Sequence, residues 1–144
     1  MSHRRTAVQF GAGNIGRGFL AQLFYESGFE VVFVDVVDTV VENLNARHEY
    51  PIHIVGEDAE TVSIRNVRAV HGKSIAQVAQ EVAAAEVLCT AVGANALPYI
   101  APALAEGLRL RHEQNGTPVN ILLCENLHDA SAVLRSHISK PLPN

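Results

Sequence analysis

Four short apolar blocks dictate what this chain can fold into: residues 7–10, 31–34, 87–92 and 119–124. Each is strand-length and apolar on successive residues, the pattern of a strand buried on both faces. Segments with helical period run between them. Ile15, Phe19, Leu20, Leu23 and Phe24 place one apolar stripe along a helix that Gly28 ends. Further helices are expected over 38–47, over 74–85 with Ser74 as its N-cap, over 96–114 and over 129–138. The third of these can break at Pro98, Pro102 or Gly107. Strands alternating with helices require right-handed crossovers, so the expected fold class is α/β, a doubly wound, mostly parallel sheet with helices on both faces.

Residues 50–71 depart from that rhythm. Ile52, Ile54, Val62, Ile64, Val67 and Val70 alternate with polar residues around Gly56-Glu57-Asp58, which predicts a hairpin insertion over 50–66 followed by another strand. Beyond residue 124 there is material for one helix, so the sixth strand of a complete doubly wound sheet is expected to be missing, and Pro141-Leu142-Pro143-Asn144 resembles a domain boundary. The strand over 119–124 would then be an apolar edge, from which self-association or marginal stability is expected.

Phe10-Gly11-Ala12-Gly13-Asn14-Ile15-Gly16 sets G-x-G-x-x-G directly after the first strand and at the start of the first helix. Gly11 allows the tight turn, Gly13 lets a pyrophosphate approach the backbone, and Gly16 permits close packing. The unpaired N–H groups of the helix start then attract the phosphates. Arg17 either adds a charge there or points into solvent. Asp35 ends the second strand, nineteen residues after Gly16, where a carboxylate accepts hydrogen bonds from the adenosine ribose. Val36 and Val37 offer no cation for a 2'-phosphate, so this Rossmann NAD-binding pattern favours NAD over NADP. The alternative is a plain strand-to-helix turn with a solvated Asp35.

At the far half of the same sheet edge, Thr90-Ala91-Val92-Gly93 ends the central strand with small residues that leave room for a cofactor, though a plain turn fits equally. Glu125 and Asn126 end the last strand and are candidates for contact near the nicotinamide or substrate; Asn126 or Asp129 can instead cap the final helix. His48, His53 and His71 read as surface or loop residues, His128 as an exposed helix-start histidine, and no histidine spacing builds a metal site. Cys89 and Cys124 lie in apolar runs, which reads as reduced, buried thiols of a cytoplasmic protein. A formal net charge of -4 gives no positive field for nucleic acid, and no run approaches the roughly 18 apolar residues of a membrane span.

Residues 9–19, Gln-Phe-Gly-Ala-Gly-Asn-Ile-Gly-Arg-Gly-Phe, closely resemble the opening of the bacterial mannitol-1-phosphate 5-dehydrogenases, a family of long-chain polyol-specific dehydrogenases. Residues 33–36, the run Leu44-Asn45-Ala46-Arg47-His48-Glu49-Tyr50, residues 55–57, 90–93 and 100–103, and Cys124-Glu125-Asn126 are similar to that family in the same order. Asn45-Ala46-Arg47-His48 with Tyr50 is the most specific of these, because no generic requirement of the glycine fold explains it. The resemblance covers the whole chain, residues 1–144, as the NAD-binding domain of a longer protein, and departs from the family at Ala94-Asn95, where proline is usual. It implies the segment from Ala7 to Gly18, with Phe10, Gly11, Ala12, Gly13, Asn14, Ile15, Gly16, Arg17 and Gly18, as cofactor-binding, Asp35 for the adenosine ribose and Asn126 beside the reacting carbonyl; Thr90 and Val92 at the end of the central strand join the expected cofactor contacts. It further implies that the catalytic lysine and the grip on a sugar alcohol phosphate come from a helical C-terminal domain absent from this chain, which is expected to be inactive alone. A related polyol or uronate dehydrogenase, or a non-catalytic NAD-sensing module, are the alternatives.

Overall fold

The computed structural model describes residues 4–140. Its chain order is β1 (Thr6–Phe10), a helix over 14–26 whose Gly16–Leu20 turn is π and whose last part is α1 (Ala21–Glu26), β2 (Glu30–Asp35), α2 (Asp38–Arg47), β3 (Glu49–Ile54), β4 (Glu60–Arg65), β5 (Val67–His71), α3 (Ile75–Ala84), β6 (Val87–Thr90), a 3-10 turn (Ala94–Ala96), α4 (Leu97–Glu113), β7 (Asn120–Leu123) and α5 (Ala130–Ile138). Five strands form one parallel sheet in the order β5-β2-β1-β6-β7, and β3 and β4 pair antiparallel as a separate hairpin. The expected doubly wound α/β fold and the hairpin are thus present. The tail 141–144 lies outside the described residues.

Strand pleating explains why the apolar blocks are continuous. Val8, Phe10, Val32, Val34 and Leu88 face α3, α4 and α5, while Val31 and Phe33 face Ala21 of α1, Leu44 of α2 and Ile64 of β4. The last block differs: β7 is an edge strand whose residues alternate between exposed and half-buried, and Leu122 is 47% exposed. Expected burial on both faces is not met there, because one flank has no neighbouring strand among the described residues. Cys124, just past β7, is likewise exposed, whereas Cys89 is buried; both are free thiols, 3.8 Å apart.

Two further expectations are corrected. Ile15, Phe19 and Leu23 stand 56%, 58% and 48% exposed, while Leu20, Ala21 and part of Phe24 meet the core. The single apolar stripe is therefore two adjacent helix rows, and only one touches the sheet. The proline-bearing helix, α4, runs unbroken: Pro98 sits in its first turn, where no N–H is needed. Gly107 is a contact rather than a break, since a Cβ there would lie 2.4 Å from Val82 Cβ of α3. Ser74 and Asp129 hold the N-cap positions of α3 and α5 without any side-chain hydrogen bond, and Asn126 caps neither.

The Asn45-Ala46-Arg47-His48 run acquires a physical reason at the other edge of the sheet. Asn45 Nδ2 donates to the Ala69 carbonyl at 2.9 Å and its Oδ1 accepts from Ala69 N–H at 2.8 Å, so one amide replaces a missing neighbour of β5. His48 adopts φ 55° at the end of α2, and its Nδ1 lies 2.9 Å from the Val67 carbonyl. This turn delivers the chain to β3, where Tyr50 packs edge-on against Phe33 and donates its hydroxyl to the Arg17 carbonyl at 2.7 Å.

Asn45→Ala strips both partners from Ala69, and a urea melt should show a loss of about 2 kcal/mol, the cost of orphaning polar backbone groups. Burial, aided by the nearby Cys124 thiol, pushes the Cys89 thiol up to about 12. Iodoacetamide at pH 8 should therefore alkylate Cys124 in the folded protein and reach Cys89 only after denaturation.

Candidate functional site

The carboxyl ends of β1, β2, β5 and β6 open into a cleft of about 700 Å³. Gly11 and Gly13 form one wall, Asp35 and Val36 the end of β2, Gly72 and Lys73 the end of β5, and Ala91 and Val92 the end of β6. Ile75 of α3 and Tyr99 of α4, 48% and 84% exposed, complete an apolar rim. This is the usual position of a ligand crevice in an open parallel sheet, where strand order reverses on either side of β1.

The three glycines do three different things. Gly11 has φ +96°, and a Cβ on it would lie 2.3 Å from the Ala91 carbonyl oxygen, so the turn after β1 lies directly on the end of β6. A Cβ on Gly16 would lie 2.1 Å from the Gly11 carbonyl oxygen, which seats the helix on the turn itself. Both are required by the protein's own backbone. Gly13 is different: it is exposed, lines the cleft, and a Cβ there would meet no atom within 4 Å. The bare surface at Gly13 faces open space, beside first-turn N–H groups that have no intrahelical carbonyl.

Two carboxylates fix the loops around this space. Asp35 Oδ2 accepts from Ala12 N–H at 2.8 Å and Oδ1 from Val37 N–H at 2.9 Å, tying the glycine turn to the end of β2. Each oxygen keeps a second lone pair, and the side chain borders the cleft. Glu125 accepts from Val92 N–H with Oε1 and from Gly93 N–H with Oε2, both at 2.9 Å. Its role is therefore to clamp the loop after β6, with Gly93 at φ +90°, rather than to present a free carboxylate. This clamp also settles the loop shape at Ala94-Asn95, which turns directly into the 3-10 segment.

The sequence-derived site residues divide among several environments. Phe10, Gly11, Gly13, Asp35 and Val92 line the large cleft. Ala12 and Gly16 are buried beneath the turn, and Ile15 is exposed outside it. Thr90 is fully buried, so its hydroxyl has no surface to offer a ligand; the small end of β6 is supplied by Ala91 and Val92 instead. Asn126 is exposed and borders neither cleft. Asn14, Arg17 and Gly18 line a second cleft of about 440 Å³ on the hairpin side of the helix, together with Tyr50, Pro51, Ile52 and His53. Burial pushes the Tyr50 phenol above its ordinary value, with the Arg17 charge opposing, so the group stays a neutral donor.

Residues that the sequence reading passed over complete the large cleft. Lys73 brings a cation to the edge beside Asp35 that inspection of Val36 and Val37 alone does not find. Its signal is positional: Gly72-Lys73 follows β5 as Val36 follows β2, both at the carboxyl edge. Ile75 and Tyr99 are apolar residues in first helical turns after strands, which is the same signal.

The mannitol dehydrogenase Rossmann domain model matches residues 5–144. A mannitol-1-phosphate 5-dehydrogenase from Geobacillus stearothermophilus is 47% identical over 133 residues, 92% of this chain and 35% of that protein. One from Streptococcus mutans is 44% identical over 140 residues, 96% of this chain and 37% of that protein. The chain thus spans about a third of the length of the curated relatives it matches. Among solved structures, Pseudomonas fluorescens mannitol 2-dehydrogenase in ternary complex with NAD and D-mannitol superposes with a TM-score of 0.79 at 12% identity, over 94% of this chain and 36% of that one. With the glycine turn, the strand order and the family match in agreement, the chain belongs to the mannitol dehydrogenase Rossmann-domain family.

Proposed function

We propose that residues 1–144 are the NAD-binding domain of a mannitol-1-phosphate 5-dehydrogenase, which converts D-mannitol 1-phosphate and NAD to D-fructose 6-phosphate, NADH and a proton. The carrying observation is the cradle at Gly13, a bare backbone surface that the protein's own packing does not require, bordered by helix-start N–H groups and Asp35. The substrate assignment is supported by relatives at 44% and 47% identity that carry this name.

In this reading NAD, when bound, supplies the hydride acceptor, and the chain's residues bind and orient it. The helix start at Gly13 and Asn14 holds the pyrophosphate through N–H groups and the positive end of the helix. Asp35 takes the adenosine ribose hydroxyls on its remaining lone pairs and disfavours a 2'-phosphate by charge, against which the Lys73 cation at the same edge works. Val36, Ile75 and Tyr99 give the adenine an apolar slot. Glu125 holds the Val92-Gly93 backbone in shape beneath the far half of the dinucleotide, and Asn126, exposed beyond β7 and outside the cleft, meets the reacting group on the substrate side. The general acid/base and most of the substrate grip come from outside these residues, so the chain alone binds NAD without turning over substrate. The exposed β7 edge favours self-association of the chain at high concentration.

Calorimetric titration with NAD and NADP tests the reading: NAD should bind and NADP should bind at least about tenfold more weakly, one charge repulsion's worth. Equal binding of the two, or of neither, overturns it. Gly13→Ala should leave the melting temperature unchanged and weaken NAD at least tenfold, whereas Gly16→Ala should destabilise the fold by about 2 kcal/mol or more through backbone overlap. Glu125→Gln exchanges one accepting oxygen for a donor facing an N–H. A loss of about 1.5–3 kcal/mol of stability is expected, with hydrogen exchange speeding up first at Val92 and Gly93.

A further inference from the structure

The second cleft carries chemistry that the dinucleotide reading does not use. It lies between the helix after the glycine turn and the β3–β4 hairpin, and its volume of about 440 Å³ falls within the ~300–1,000 Å³ range of small-molecule sites. Its one charged group is the Arg17 guanidinium. Among the described residues Arg17 has no carboxylate within ion-pair distance, although the other arginines of the sheet and hairpin, Arg4, Arg5, Arg65 and Arg68, are all paired. Arg17 Nε is buried with no hydrogen-bond partner, which confines the outward donors to the guanidinium tip. A partly shielded cation lacking a counter-ion is poised for an external anion, and the guanidinium fork matches phosphate oxygens.

The rest of the lining agrees with that sign. No acidic residue borders the cleft, and Glu49, which precedes Tyr50 in β3, is engaged by Arg65 at 3.5 Å. His53 has Nδ1 on Thr61 Oγ1 at 3.1 Å, which leaves Nε2 free. Asn14 is exposed on the same wall. The Tyr50 hydroxyl, already donating to the Arg17 carbonyl, fixes the helix against the hairpin and so fixes the spacing of Arg17 from His53. In a chain of net charge -4 this is a local positive recess with polar donors on both walls.

We propose that this cleft is a receptor for a phosphate monoester, with Arg17, Asn14 and His53 as donors, and that the ester it takes is the phosphorylated end of the polyol. The identity of the ester rests on the function proposed above; the receptor chemistry does not. The cleft shares Asn14 with the start of the dinucleotide cradle, so a phosphate held there is adjacent to the cofactor without occupying its place. The N-terminal domain would then itself distinguish a phosphorylated polyol from a free one.

NMR titration of the chain tests this, read at the Arg17, Gly18 and His53 resonances, with inorganic phosphate, D-mannitol 1-phosphate, D-mannitol and NAD as separate ligands. D-mannitol 1-phosphate should shift these resonances saturably, D-mannitol should not, and the shifts should persist in chain saturated with NAD. Response to inorganic phosphate equal to that of the ester identifies the site as one for free phosphate and overturns the assignment to substrate. Loss of the ester response under saturating NAD assigns Arg17 to the dinucleotide pyrophosphate and overturns the receptor. Absence of any ester response does the same. Arg17→Gln should weaken the ester at least about tenfold, one charge-assisted pair. His53→Ala, at an exposed position, should weaken the ester several-fold and leave NAD affinity unchanged. Failure of NAD to bind alongside an intact ester response would count against the proposed function alone.

Discussion

Backbone touching backbone at the glycine turn is the constraint on which the rest of this structure depends. Gly11 lies against the end of β6 and Gly16 against Gly11, each closer than a Cβ would allow. These two approaches bring β1, the first helix and β6 to a common edge. Gly11 N–H also donates to the Val34 carbonyl at 2.8 Å, which adds β2 to the same knot. The cleft exists because three strand ends and a helix start converge there, and any side chain at Gly11 or Gly16 would drive them apart. Gly13 sits in the same motif for the opposite reason, since nothing in the protein presses on it.

The two edges of the sheet are handled unequally, and this shapes what surrounds the site. At β5 the exposed ladder is met by one asparagine side chain, and the His48 turn that follows sends the chain into the hairpin. The hairpin packs Ile64 into the core and lays Tyr50 across Phe33 and the Arg17 carbonyl. An edge-capping motif thereby builds the wall of the second cleft. At β7 no comparable device covers the strand among the described residues, and its side chains alternate between exposed and half-buried.

What was legible in the sequence follows from the range of the physics involved. Apolar blocks and glycine spacing report local geometry plus a buried environment, so strands, helices, the hairpin and the turn could be read directly. The helix row of Ile15, Phe19 and Leu23 has the same periodicity as the row that packs, and only the sheet's position tells them apart. Thr90 and Cys124 illustrate the same limit: the ends of two neighbouring strands have one composition but opposite exposure, because β6 is central and β7 is not. Glu125 was legible as a carboxylate at the ligand edge, but its bonds to Val92 and Gly93 join residues over thirty positions apart. Lys73 and Arg17 are surface cations in sequence, and only the three-dimensional walls give each a cleft.

The distribution of charge around the turn divides the helix start into two recesses of opposite character. Backbone N–H groups of the loops around the large cleft are taken by protein carboxylates, Ala12 and Val37 by Asp35, Val92 and Gly93 by Glu125. Those carboxylates neutralise the local amide dipoles, and Asp35 leaves negative charge at the β2 end of the space, which suits hydroxyl donors. Free positive potential is supplied in the middle by the helix-start N–H groups at Gly13 and Asn14, at the β5 edge by Lys73, and on the hairpin side by Arg17. A dinucleotide needs positive potential only under its pyrophosphate, which the middle supplies. The Arg17 charge is surplus to that need and is held on a separate wall by Tyr50, so the fold keeps one anion position for the cofactor and a second for whatever meets it.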